Sequence, residues 1–152
     1  MNSPIGTIRN TRQFLLEQIR DLPVEALNQI PTGFNNNIVW HLGHLVAAQQ
    51  GICYTRSGCT PTVDERYITE FKNGSRPQQL YDAEAIAAIT KLLFTTLDTL
   101  EADVASGLLN NYQPWKTRYG VEINSVDDAI NFMSFHEGLH YGYILSFKKL
   151  VH

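Results

Sequence analysis

His136 and His140 stand one helical turn apart in the stretch 125–151, SVDDAINFMSFHEGLHYGYILSFKKLV. On an α-helix such residues share a face, with Cβ atoms about 5–6 Å apart. Both imidazoles can therefore aim a ring nitrogen at one cation, with bonds of about 2.0–2.1 Å. The competing reading is two polar residues in an apolar seam, one at its edge and one hydrogen-bonded to a neighbouring helix. A third ligand elsewhere decides between the two. His41 and His44 lie in a second apolar stretch, NIVWHLGHLVAAQQGICYTR. Beside Gly43, Leu45 and Val46, His44 has little polar company, which makes it the natural third ligand or else a satisfied core histidine. His41 sits on the shoulder of the same face.

Three neutral imidazoles leave a divalent ion its full double charge and at least one open coordination position, as in catalytic zinc sites. Such an ion brings the pKa of bound water to about 7 or holds a thiol as thiolate. Two enzymatic readings follow: attack of an activated small thiol on an electrophile, or metal-dependent hydrolysis of an ester or amide. A third reading is a non-enzymatic metal- or ligand-binding module of the stress response. The donor set suits zinc, nickel, copper and iron alike. Glu137 and Tyr143 are the candidate catalytic groups beside the ligands. Consecutive helical residues point about 100° apart, so Glu137 suits solvent or a supporting contact as well as a base. Tyr141 and Tyr143 suit either a hydroxyl near the site or aromatic packing.

These histidines need helices to hold them. Ser125 followed by Asp128 predicts a helix N-terminus, and Ala129, Ile130, Met133, His136, His140, Ile144 and Phe147 recur at steps of three and four as one stripe. A helix over 37–56 is predicted by an asparagine cap at Asn36 or Asn37 and by Gly58 as its stop. The first helix is predicted over 4–22, ended by Leu22-Pro23. Residues 23–36 form a connection with one short turn of helix. A long connection over 57–77 contains Tyr67, Phe71 and the turn-prone run Asn73-Gly74-Ser75-Arg76-Pro77. The third helix is predicted over 78–104, with Leu80, Ala83, Ile86, Leu93, Leu97 and Leu100 as its stripe and Gly107 beyond its end. In the connection 108–124, Trp115 and Tyr119 are placed to cover one mouth or one end of the bundle. Four long helices without a run of alternating strand residues specify an all-α four-helix bundle with ligands projecting inward from facing helices.

Composition agrees. The 152 residues, 43% hydrophobic and 18% charged, fit a single domain over 1–152. A net charge of −3 argues against nucleic acid as partner. The chain lacks an apolar run of about 18 residues for a membrane span, and its opening MNSPIGTIRNTRQ lacks a signal-peptide pattern. A cytoplasmic protein is expected, with Cys53 and Cys59 as free thiols.

The segments Asn37-Ile38-Val39-Trp40-His41-Leu42-Gly43-His44-Leu45 and His136-Glu137-Gly138-Leu139-His140-Tyr141-Gly142-Tyr143-Ile144, with Phe71-Lys72-Asn73-Gly74-Ser75-Arg76-Pro77 between them, resemble the DinB-like (DinB/YfiT-like) superfamily of metal-binding four-helix bundles. The likeness covers nearly the whole chain. It implies an up-down-down-up helix order with a long crossover between helices two and three, a divalent metal, zinc or nickel foremost, on His44, His136 and His140, and pairing into a homodimer. It further implies a small-molecule substrate and a low-molecular-weight thiol cosubstrate, because characterised relatives include thiol-dependent isomerases and S-transferases. The second-helix histidine of that ligand set matches His44 rather than His41, and the resemblance leaves the role of His41 open.

Overall fold

A computed structural model describes residues 3–152. The first helix, α1 (Pro4–Ile19), starts where the Ser3 hydroxyl accepts from the Gly6 amide at 3.0 Å and Pro4 supplies a preset first turn. It stops three residues earlier than the spacing predicts, and the chain turns through Pro23 into the one-turn α2 (Val24–Asn28). Asn37 caps α3 (Ile38–Gln49), its side-chain oxygen accepting from the Trp40 amide at 2.8 Å. The helical path then continues through a π-turn (Gln50–Tyr54) and a 3-10 turn (Thr55–Ser57), and Gly58 ends it at φ 71°. The expected continuous α-helix to Arg56 is thus replaced over its last third by wider and then tighter winding.

Inside the long connection lies a seven-residue helix, α4 (Glu65–Phe71), capped by Asp64. It is too short for its periodicity to stand out in the sequence. The third long helix, α5 (Ala83–Ser106), begins five residues later than predicted, because Asp82 accepts from the Ala85 amide at 2.8 Å and so fixes the start. Leu80 falls outside it and is 85% exposed instead of lying in the stripe. Gly107 closes the helix at φ 78°, as predicted. A two-stranded hairpin follows, β1 (Trp115–Lys116) pairing antiparallel with β2 (Glu122–Ile123), with Gly120 at φ 81° in its tip. The last helix, α6 (Val126–Lys148), starts as predicted: the Ser125 hydroxyl accepts from the Asp128 amide while the Asp128 carboxylate accepts from Asn124.

Cross-helix pairs give the directions of the four long helices. Gln49 meets Thr96 and Tyr54 meets Asp103, so α3 and α5 run parallel. Arg12 meets Glu137 and Phe14 meets Tyr141, so α1 and α6 run parallel. His44 meets His136 while Cys53 meets Met133, so α3 and α6 run antiparallel. The order is up-down-down-up, and the long connection carrying α4 is the crossover it requires. The bundle is all-α apart from the small hairpin, and no described helix is long and apolar enough to cross a membrane.

Among the described residues, the core contains one buried charge pair. Arg12, 1% exposed, falls on the apolar stripe of α1 beside Ile5, Ile8, Leu15 and Ile19. Its guanidinium donates to both carboxylate oxygens of Glu137 on α6, to the Gln49 side chain on α3 and to the Leu93 carbonyl on α5. Four helices are keyed together by this one side chain. A charge so buried demands full pairing, and these bonds supply it.

Candidate metal centre

Sequence neighbours on α3 and α6 meet across the bundle. Ring nitrogens of His44, His136 and His140 lie within 4.8 Å of one another. Nε2 of His136 is 3.4 Å from Nε2 of His44 and 3.2 Å from Nε2 of His140. Two ligands of a tetrahedral ion with bonds of about 2.05 Å stand roughly 3.3 Å apart. Two of the three donor pairs therefore already hold the spacing that a zinc-sized ion needs, and the third lies within 4.8 Å.

Tautomers support the same assignment. Nδ1 of His44 lies 2.7 Å from the Phe71 carbonyl, which can only accept, so that nitrogen carries the proton and Nε2 of the neutral ring keeps its lone pair for the cluster. The ring is also stacked on Trp40, centroids 4.7 Å apart, and the Trp40 indole donates to Ser75. His41 takes no place in the cluster. Its Nδ1 lies 2.9 Å from Nδ1 of His140, while its ring stacks on Tyr143 at 5.3 Å. With His140 donating in that contact, Nε2 of His140 is likewise free to bind a metal.

Burial keeps these rings neutral. Desolvation, followed by the charge of His44, holds the pKa of His41 down at about 4. Desolvation, then His44, then Arg118 holds His136 at about 4, and the same effects with His136 and His41 added bring His140 to about 2. For His44 burial lowers the pKa, opposed by the Phe71 hydrogen bond. Neutral imidazole is the form that ligates a metal.

Glu137, although next to His136, has both carboxylate oxygens occupied by Arg12, and Tyr143 faces His41 with 47% of its surface exposed. Cys53 is fully buried against Met133, and burial pushes its thiol up to about 12, so it is a core residue. The cluster opens onto a cavity of about 540 Å³, walled on one side by the hairpin residues Trp115 and Tyr119. Sequence reasoning passed over three contributors here. The Phe71 carbonyl carries no side-chain signal, and Arg118 sits in an aperiodic turn. Arg12 did leave a signal, a charge in the middle of an apolar stripe.

The family model of the DinB superfamily matches residues 7–144, a span holding all four of the histidines that meet between α3 and α6. No curated protein matches the chain.

Proposed function

Because the chain belongs to the DinB superfamily and brings three imidazole donors to one point, we propose that it is a divalent-metal-dependent enzyme of the thiol S-transferase type acting on small electrophiles. The observation that carries this reading is the convergence of three imidazole nitrogens within 4.8 Å of one another on the wall of a cavity large enough for a small molecule. When bound there, a zinc or nickel ion supplies acidification of a thiol, since three neutral ligands leave its charge uncompensated. His44, His136 and His140 would hold it, with Phe71 and His41 orienting two of those rings. The thiol loses its proton to solvent, its sulfur forms a bond to the electrophilic carbon, and the leaving group departs with the bonding pair.

Hydrolysis fits less well. The residues lining the cavity include no carboxylate to serve as base, and the nearest in sequence, Glu137, is held by Arg12. The reading places the enzyme in the cytoplasm, where small thiols stay reduced, in keeping with the free Cys53 and Cys59.

Elemental analysis of untagged protein tests the premise. About one ion per chain is expected from the three-ligand site, lost in His44→Ala, His136→Ala and His140→Ala. The loaded protein should then conjugate a small thiol to a chromogenic aryl halide, and the three variants should not. Absence of metal uptake, or conjugation unaffected by the substitutions, overturns the proposal.

A further inference from the structure

The cavity that opens on the histidines is lined by Arg56, Lys72 and Arg118 and by no carboxylate, in a chain whose acids outnumber its Lys and Arg by 15 to 12. The ion pairs among the described residues involve Arg9, Arg12, Arg20 and Lys116. None of the three cavity cations has an acidic partner within 4.0 Å there. They arrive from three separate parts of the chain: the end of the α3 extension, the residue after α4 and the tip of the hairpin.

The backbone and aromatic contacts hold two of them in place. At about 100° per residue an undistorted helix would set Arg56, twelve positions after His44, about 120° away from it. One residue accommodated in a π-turn removes about 100° of that, and the helix has its π-turn at Gln50–Tyr54, between the two. Arg56 is thereby returned to the His44 side, where its guanidinium lies 4.9 Å over the Trp115 ring. Trp115 in turn donates to the Tyr112 hydroxyl, which donates to the Ile52 carbonyl. Arg118 lies over Tyr119 at 5.0 Å and donates to its hydroxyl at 2.8 Å. Lys72 directly follows Phe71, the residue whose carbonyl orients His44.

We propose that this cavity binds a small molecule carrying at least two negative charges, its carboxylates or phosphate on Arg56, Lys72 and Arg118 and its remainder against Trp115 and Phe132, beside the imidazole cluster. Unpaired cations facing into one concavity focus a positive potential that a neutral ligand would leave uncompensated. The volume, about 540 Å³, admits a small molecule. This inference rests on the reading above in one respect: it makes the thiol, or the electrophile it attacks, an anionic compound.

The test uses the whole chain, metal-free and zinc-loaded, with propane-1,2,3-tricarboxylate as the probe and its neutral triamide as the control, titrated by calorimetry at low salt. The tricarboxylate should bind and the triamide should not. Arg56→Gln and Arg118→Gln should each weaken binding about tenfold or more, the loss expected for a charge-assisted hydrogen bond, while zinc content stays at the wild-type level. Lys148→Gln, on the surface at the end of α6, should change nothing. Equal binding of both probes, or an equal loss from Lys148→Gln, overturns the anion site. A chain that takes up no metal yet binds the tricarboxylate with this variant pattern keeps the anion site and loses the metalloenzyme reading. A chain that binds zinc but not the tricarboxylate does the reverse.

Discussion

At the scale of single residues, the contact between His41 and His140 gives His41 a partner that spacing alone could not name. Two Nδ1 atoms 2.9 Å apart must share one proton between them. A metal held at Nε2 of His140 would leave that proton on Nδ1 of His140, with His41 as its acceptor. The ring of His41 is itself clamped between Tyr143 and Phe147. Such supporting partners typically change metal affinity by about 10–100-fold. His41→Ala should therefore still take up one equivalent of zinc at saturation but bind it about tenfold or more weakly, measured by competition with a chromophoric chelator. His41→Asn, which keeps an acceptor, should recover part of the loss. An unchanged affinity in His41→Ala would make the histidine mere packing. The triad itself was legible from the i, i+4 pair and the isolation of His44, whereas this orienting bond was not, because nothing in the spacing says which way the His41 ring turns.

At the scale of elements, the cluster-facing position of His44 depends on how closely α4 approaches α3. A Cβ added at Gly43 would lie 2.4–2.6 Å from three carbons of the Phe71 ring, well inside contact distance. Phe71 is fully buried, so its ring has nowhere to yield, and it is the residue whose carbonyl holds His44. Gly43→Ala should push α4 outward and cost about 1–3 kcal/mol by overpacking, read by chemical denaturation. It should also weaken zinc binding, whereas Gly138→Ala, where a Cβ meets nothing within 4 Å, should do neither. The long helices were readable because each repeats its apolar stripe over several turns and carries a cap, as Ser125 and Gly107 show. The elements that were not readable are those without room for a period: α4, the two-residue strands and the π-turn. Their placement follows from tertiary contacts such as the Gln113 amide donating to the Arg56 carbonyl at 2.7 Å, which draws the hairpin arm onto the 3-10 turn beyond α3.

At the scale of the whole molecule, the bundle holds four uncharged imidazoles between α3 and α6, close to the Arg12–Glu137 pair that locks all four helices. An unfolded chain would protonate those histidines near pH 6.5, but the folded one keeps His41 and His136 neutral down to about 4 and His140 down to about 2. Between those values the unfolded state binds more protons, so stability must rise with pH. Their contribution is complete above pH 6.5 and is lost progressively as pH falls toward the folded values. Each such histidine contributes a slope of at most about 1.4 kcal/mol per pH unit. The metal-free protein should accordingly lose stability steeply between pH 6.5 and about 4.5, above the range where ordinary carboxylates titrate. Replacing His140 with Leu should flatten that slope in urea-denaturation measurements across the window. Zinc held by the three histidines would oppose the same transition, because a metal ligates only the folded, deprotonated cluster. Its addition should raise stability most near neutral pH, with the gain vanishing as protons displace it. A metal-free stability that is level from pH 6.5 to 4.5, in wild type and in His140→Leu alike, would show that the cluster is open to protonation in the fold, contrary to the desolvation on which its neutral, ligand-ready state depends.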